Sequence, residues 1–187
     1  LFRSKLSVFK SIIYVGIGAG GFMEVYTVSL FGHKEFNNPL KVGKQLEKEV
    51  RDLIDRNGYV EFLIGRNGMF DLFAASVIRE VCKEYDYGNA ALVLLLPHIT
   101  PDYKNNSAMI DKMYDEIEVC EEAERYSNRL SVGVCNRNMV DRSDLVIVCV
   151  ERREGGAYKM MMYAKNAGKP VKNVACSDPP SEPIEVD

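Results

Sequence analysis

The residues best suited to hold an anion lie in Tyr59-Val60-Glu61-Phe62-Leu63-Ile64-Gly65-Arg66-Asn67-Gly68-Met69-Phe70-Asp71. Val60, Phe62, Leu63 and Ile64 form a short apolar run of strand type. Gly65-Arg66-Asn67-Gly68 breaks it, and Met69, Leu72, Phe73, Val77 and Val81 then recur at helical spacing. A strand that turns through glycines into a helix leaves the helix's first N–H groups unpaired and aimed at the turn. The helix dipole favours negative charge there. Glycines let an anionic group approach the backbone, and Arg66 adds a charged fork. The plainer reading is a strand-to-helix turn with ordinary glycines and a solvated arginine.

A second loop of similar character is Glu151-Arg152-Arg153-Glu154-Gly155-Gly156. It follows the buried-strand pattern Leu145 to Val150 and precedes a helix from Ala157 to Ala167, which Gly168 and Pro170 terminate. Both loops fall where an α/β chain places its ligands, at the carboxyl ends of the strands. Gly32-His33, after a β-rich run from Met23 to Phe31, and Pro97-His98, after the apolar run Ala90 to Leu96, fall there too. His33 reads equally as a site residue and a hydrogen-bonding loop residue, and His98 reads first as the latter.

The elements that position these loops follow in order. Asn38 fits an N-cap with Pro39 at the first helical position, and Val42, Leu46, Val50, Leu53 and Ile54 draw the apolar stripe of a helix ending near Asn57-Gly58. The second helix runs from Met69 to Tyr85. Asn106 to Asn128 reads as one charge-rich helix with a solvated side, and Arg137 to Ser143 as a short helix or turn. Val171 to Val174 is a last short strand. Strands alternating with helices predict an α/β, Rossmann-like three-layer sandwich around a mainly parallel central sheet.

Residues 23–176 make that single domain, and 177–187, with three prolines and several acids, read as a flexible tail. Residues 1–22 are expected to lie outside the core. They spell Gly16-Ile17-Gly18-Ala19-Gly20-Gly21, a GxGxxG pattern, but strand residues follow where a dinucleotide fingerprint needs a helix. The same stretch also resembles a secretory signal, with a cationic start and a short apolar centre. The free-cysteine pattern and the α/β body argue against export, and the favoured reading is an upstream extension.

Composition narrows the function. The chain has 187 residues, 47% hydrophobic and 27% charged, which suits one domain with an ordinary core. A net charge of -3 argues against a broad nucleic-acid surface. Five cysteines, without CxxC spacing, read as buried thiols in a reducing cytoplasm. Two histidines and no Cys/His cluster make a metal site improbable. The residues name no cofactor, point to no membrane partner, and leave a homodimer open.

The succession FGHKEF, GRNGMFDLFAA, LVLLLPHI and NRNMVDRSDLVIVCVERREGGAYKMMMYAKNAGKPV resembles the SLOG superfamily, nearest its YpsA-like branch, over roughly Met23 to Val174. The most specific piece is Asn136-Arg137-Asn138-Met139-Val140-Asp141-Arg142-Ser143-Asp144. The resemblance implies a Rossmann-like fold and a nucleotide-like ligand. It implies phosphate-facing roles for Gly65, Gly68, Asp71, Gly155 and Gly156, and ligand-flanking roles for His33, Asn136, Arg137, Asp141 and Arg142. Gly32, Arg66, Asn67 and Glu151 complete the candidate set from their places at strand ends. Arg137 and Asp141, at i,i+4, also fit a salt-bridged cap that fixes the neighbouring strand.

The phosphoribohydrolase relatives carry a PGGxGTxxE motif. This chain reads Arg153-Glu154-Gly155-Gly156-Ala157-Tyr158-Lys159-Met160, without its proline, threonine and glutamate. Binding or sensing of a nucleotide-derived ligand is therefore the leading expectation, with no catalytic residue assigned. The rivals are a hydrolase using Asp71, Glu151 or Glu154, and a partner-binding regulatory module with a vestigial pocket.

Overall fold

The computed structural model describes residues 12–13, 23–84 and 88–176. The tail at 177–187 lies outside the described residues. So does the extension at 1–22, with its glycine run, apart from Ile12–Ile13. That pair forms β1, antiparallel to the start of β2 (Met23–Gly32), with Ile12 opposite Glu24 and Ile13 opposite Met23.

The remaining strands are β3 (Tyr59–Ile64), β4 (Ala90–Leu96), β5 (Glu116–Val119), β6 (Leu145–Cys149) and β7 (Val171–Asn173). With β2 they run parallel in the order β5-β4-β3-β2-β6-β7. The chain steps outward from β2 to β5, then returns to lay β6 on the other side of β2. The β2/β6 junction is thus the topological switch point, where loops from adjacent strand ends diverge to opposite faces and leave a crevice.

One face carries α1 (Pro39–Arg56), α2 (Met69–Glu84) and α3 (Pro101–Met113). Val42, Leu46, Val50 and Ile54 of α1 and Phe70, Ala74, Ile78 and Val81 of α2 bury against Val28, Leu30, Phe62 and Ile64. The α1 stripe and its Asn38–Pro39 start stand as the spacing predicts, with the Asn38 side chain accepting the Lys41 N–H. The other face carries α4 (Asn128–Arg142) and α5 (Gly155–Asn166), whose Cys135, Met139, Val140, Met160, Met161 and Ala164 cover Leu63, Val93, Leu95, Val146 and Val148. The three-layer α/β architecture follows.

One stretch departs from expectation. The single helix expected over 106–128 is instead the end of α3, the strand β5, a 3-10 turn at Ala123–Arg125 and the start of α4. Glu116-Ile117-Glu118-Val119 looks solvated by composition, yet Glu118 is buried because the Arg142 guanidinium meets it at 2.7 Å. The segment Arg137 to Ser143, read as a short helix or turn, begins as the second half of the 15-residue α4. Val132, Gly133 and Val134 are weak helix formers that conceal that helix in the sequence, and packing of Cys135, Met139 and Val140 sustains it.

Candidate functional site

The loop Gly65–Gly68 leads from β3 into α2 as the pattern requires, but its N–H groups are already engaged. The Asp71 carboxylate folds back and accepts the Asn67 backbone N–H at 2.7 Å. Asp71 is 8% exposed, and its burial pushes the carboxyl up to about 6 against the opposing pull of the Asn67 and Gly68 amides. An arriving anion meets a carboxylate there rather than open amides. Arg66 turns aside to Asp102 of α3, at 2.9 Å.

Close packing fixes this loop against β2. A Cβ on Gly32 would overlap the Phe70 ring, and one on Gly68 would come within 3.3 Å of the Lys34 backbone. Both glycines therefore allow approach of protein to protein at the strand ends.

The crevice at β2/β6 is built differently. His33, directly after β2, donates its backbone N–H to Cys149 at the end of β6. Its ring lies 3.1 Å, through Nε2, from the Glu154 carbonyl. A carbonyl oxygen only accepts, so Nε2 donates, and Nδ1 is buried without a hydrogen-bond partner among the described residues. Glu151 holds the opposite loop, accepting from the Asn37 Nδ2 at 2.8 Å and its backbone N–H at 3.2 Å. These contacts fix the two loops that bound the crevice.

Into this crevice opens the N-terminus of α5. Gly155, at φ 82°, and Gly156 are exposed, and among the described residues no side chain caps the helix or places an acid in its first turn. By contrast, Asn38 caps α1, Thr100 caps α3, and Asp71 closes the loop before α2. α4 also starts without a side-chain cap, but after β5 at the far edge of the sheet. At the switch point, among the described residues, open amides and glycines coincide only at α5. Arg152 and Arg153 flank them with exposed charge, offset by the exposed Glu154.

The Asn136–Asp144 segment lies elsewhere. α4 descends toward the amino ends of the strands, so its last turns stand away from the crevice. Arg142 is bracketed by buried carboxylates, Glu118 at 2.7 Å and Glu61 at 3.5 Å. Asp141 accepts the Tyr163 hydroxyl at 2.9 Å, and Asp144 accepts the Thr27 N–H at 3.0 Å. Ser143 and Ser29 share the Met139 carbonyl. Arg137 is exposed on α4 and Asn136 half-buried. The structure thus brings Gly32, His33, Glu151, Gly155 and Gly156 together at the switch point, with Gly65, Arg66, Asn67, Gly68 and Asp71 one strand over. It does not bring Asn136, Arg137, Asp141 and Arg142 to them. Asn37, whose bonds to Glu151 fix the crevice, carries no signal in the sequence that singles it out.

The described cysteines, Cys82, Cys120, Cys135, Cys149 and Cys176, are free thiols. Among the described residues, no helix is long and apolar enough to cross a membrane.

No protein-family model and no curated protein matches the chain. Solved structures do. DNA processing protein A (DprA) from Streptococcus pneumoniae aligns with a TM-score of 0.56 and 16% identity, over 80% of this chain and 53% of that one. DprA from Helicobacter pylori aligns with a TM-score of 0.52 and 18% identity, over 78% of this chain and 63% of that one. This chain therefore spans little more than half the length of these neighbours. The Helicobacter protein binds single-stranded DNA. That finding overturns the exclusion of a nucleic-acid surface drawn from the net charge of -3. Net charge sums the whole surface, whereas a strand is held by local groups in one groove, backbone amides among them. What the likeness establishes for this chain is its Rossmann-like α/β fold.

Proposed function

We propose that this chain binds a phosphate-bearing nucleotide, free or within a nucleic-acid strand, in the crevice between the carboxyl ends of β2 and β6. The observation that carries this reading is the uncapped, glycine-opened N-terminus of α5 at the switch point. Backbone N–H groups aimed along a helix axis supply both the donors and the partial positive charge that a phosphate needs. His33 bonds to the Glu154 carbonyl on one side, and Glu151 is tied to Asn37 across the two loops. The single-stranded DNA binding of the Helicobacter neighbour, on the same fold, supports a ligand of this chemistry. So does the resemblance of the sequence to the SLOG superfamily, in which we place the chain near the YpsA-like branch. Free thiols in the described residues suit a reducing, cytoplasmic setting.

Gly156 offers a clean test. A Cβ there meets nothing within 4 Å among the described residues, so a larger side chain is expected to keep the fold while obstructing the path to the amides. Fluorescence anisotropy with a labelled oligothymidylate, and calorimetry with thymidine monophosphate, are expected to show Gly156→Leu weakening binding tenfold or more. Unchanged affinity for both ligands in a folded variant would place the site elsewhere.

A further inference from the structure

Two of the cysteines meet inside the fold. Cys120 follows β5, and its backbone N–H donates to the Leu96 carbonyl at 2.8 Å. Cys135 stands midway along α4, with its sulfur 3.9 Å from the carbonyl of Leu95, the neighbouring residue of β4. Anchored on consecutive residues of one strand, both side chains enter the same apolar cluster, beside Leu95 and Ala123. There the Cys135 thiol donates to the Cys120 sulfur.

The surroundings treat the two sulfurs differently. The Cys120 sulfur faces the Cys135 thiol first, then the backbone N–H groups of Ala123 and Glu122 where the 3-10 turn begins. Donors gathered around a sulfur favour its thiolate, so Cys120 is held below the ordinary thiol range although burial pushes the other way. Cys135 is raised, first by the proton it gives to that bond and then by burial. The Arg142 guanidinium adds positive charge within electrostatic reach of both. A nucleophilic sulfur and a protonated partner thus lie side by side, as a two-step oxidation to a disulfide requires. Elsewhere burial pushes Cys82 up to about 11 and Cys149 up to about 12.

We propose that Cys120 and Cys135 are a site of oxidation by hydrogen peroxide, Cys120 the attacked sulfur and Cys135 the resolving one. The Cys120 thiolate attacks one peroxide oxygen, and the O–O bond breaks. The sulfur becomes a sulfenic acid, and the departing hydroxide takes up the proton that Cys120 gave up, leaving as water. The Cys135 sulfur then attacks the Cys120 sulfur, and its proton leaves with the displaced hydroxide as a second water. Two thiols are oxidised to one disulfide while one peroxide is reduced to two waters. The bond ties the end of β5 to α4 and involves none of the residues of the phosphate crevice. Cys120 is 4% exposed, but Glu121 and Glu122 directly after it lie at the surface. Local opening of that turn admits a molecule of peroxide size.

The test treats the full chain, with all thiols reduced, with hydrogen peroxide, then alkylates, digests and maps it by mass spectrometry. The expected product is a Cys120–Cys135 disulfide, with two thiols lost per chain and Cys82, Cys149 and Cys176 still alkylated. Cys135→Ser is expected to stop at a sulfenic acid on Cys120 that dimedone traps. Cys120→Ser is expected to leave Cys135 unoxidised at the same dose. Cys82 and Cys176 are only half-buried, so a reactivity set by exposure alone would oxidise them first. That order would overturn the proposal, as would survival of both Cys120 and Cys135 at a peroxide excess that fully oxidises free cysteine. A sulfenic acid on Cys120 that never closes to the disulfide in the unaltered chain would overturn the pairing. The map of the unaltered chain decides by itself should either serine variant fail to fold.

Discussion

The Asp71 carboxylate accepts the Asn67 backbone N–H at 2.7 Å, filling from within the loop that leads into α2. Burial holds the Asp71 carboxyl at about 6, above the 3.8 of an unperturbed aspartate. The folded state therefore binds this proton more tightly than the unfolded state does. Its contribution to stability is fully present below the unfolded value and is lost as pH rises through about 6. The ionised group then costs on the order of 3 kcal/mol at pH 7. Asp71→Asn is expected to raise stability at pH 7 by up to that amount and to flatten the pH dependence between 4 and 6. Urea unfolding of both proteins at pH 4, 5, 6 and 7 checks this, and equal destabilisation by the variant at every pH would contradict it.

Arg142 tests whether the segment before β6 serves architecture or ligand. Its guanidinium is the shared counter-charge of Glu61 and Glu118, both buried. Removing it takes this counter-charge from two buried carboxylates, so Arg142→Met is expected to cost about 3–5 kcal/mol. Ligand affinity of the folded fraction is expected to stay unchanged. A variant of normal stability with lost binding would restore Arg142 to the site.

Gly32 is reserved for the Phe70 ring, which is fully buried beside it. Gly32→Ala is expected to destabilise by about 1–3 kcal/mol through overpacking. Phe70→Ala alone is expected to cost about 3–5 kcal/mol through the cavity it leaves. Because Phe70→Ala removes the ring atoms that the new methyl overlaps, though not the Phe70 Cβ at 2.6 Å, the double variant is expected to cost less than the two together. Strict additivity in urea unfolding would show that the two positions do not share that space.

Much of the frame could be read from the chain, because its signals are local. Asn38 and Pro39 announce α1, the spacing of Val42, Leu46, Val50 and Ile54 sets its face, and the runs at β3, β4 and β6 are too apolar for anything but a covered sheet. The miss at β5 has a non-local cause: Glu118 is buried only because Arg142, 24 residues later, reaches it. For the site, residue types and strand ends identified both glycine loops. They could not show that Asp71 would close one of them, since a carboxylate in the first turn can equally face solvent. Nor could i,i+4 spacing reveal that Asp141 engages Tyr163 on α5.

Glu151, a carboxylate at the crevice held by hydrogen bonds, is tied to Asn37, and the first turns of α5 carry Tyr158-Lys159-Met160-Met161 without an acid. Incubation with nucleoside monophosphates is expected to release no free base above the uncatalysed background, as followed by chromatography. Release at an enzyme-like rate, abolished by Glu151→Gln, would make this a hydrolase.

The central claim is that the α5 amides receive a phosphate, and amide resonances report on it directly. In a proton–nitrogen correlation spectrum of the full chain, titration with hexathymidylate is expected to shift the Gly155, Gly156 and Ala157 cross-peaks saturably and together. Inorganic phosphate is expected to move the same peaks in the same direction at higher concentration. Saturable shifts elsewhere with these three unmoved, or no saturable shift with either ligand, would contradict the account.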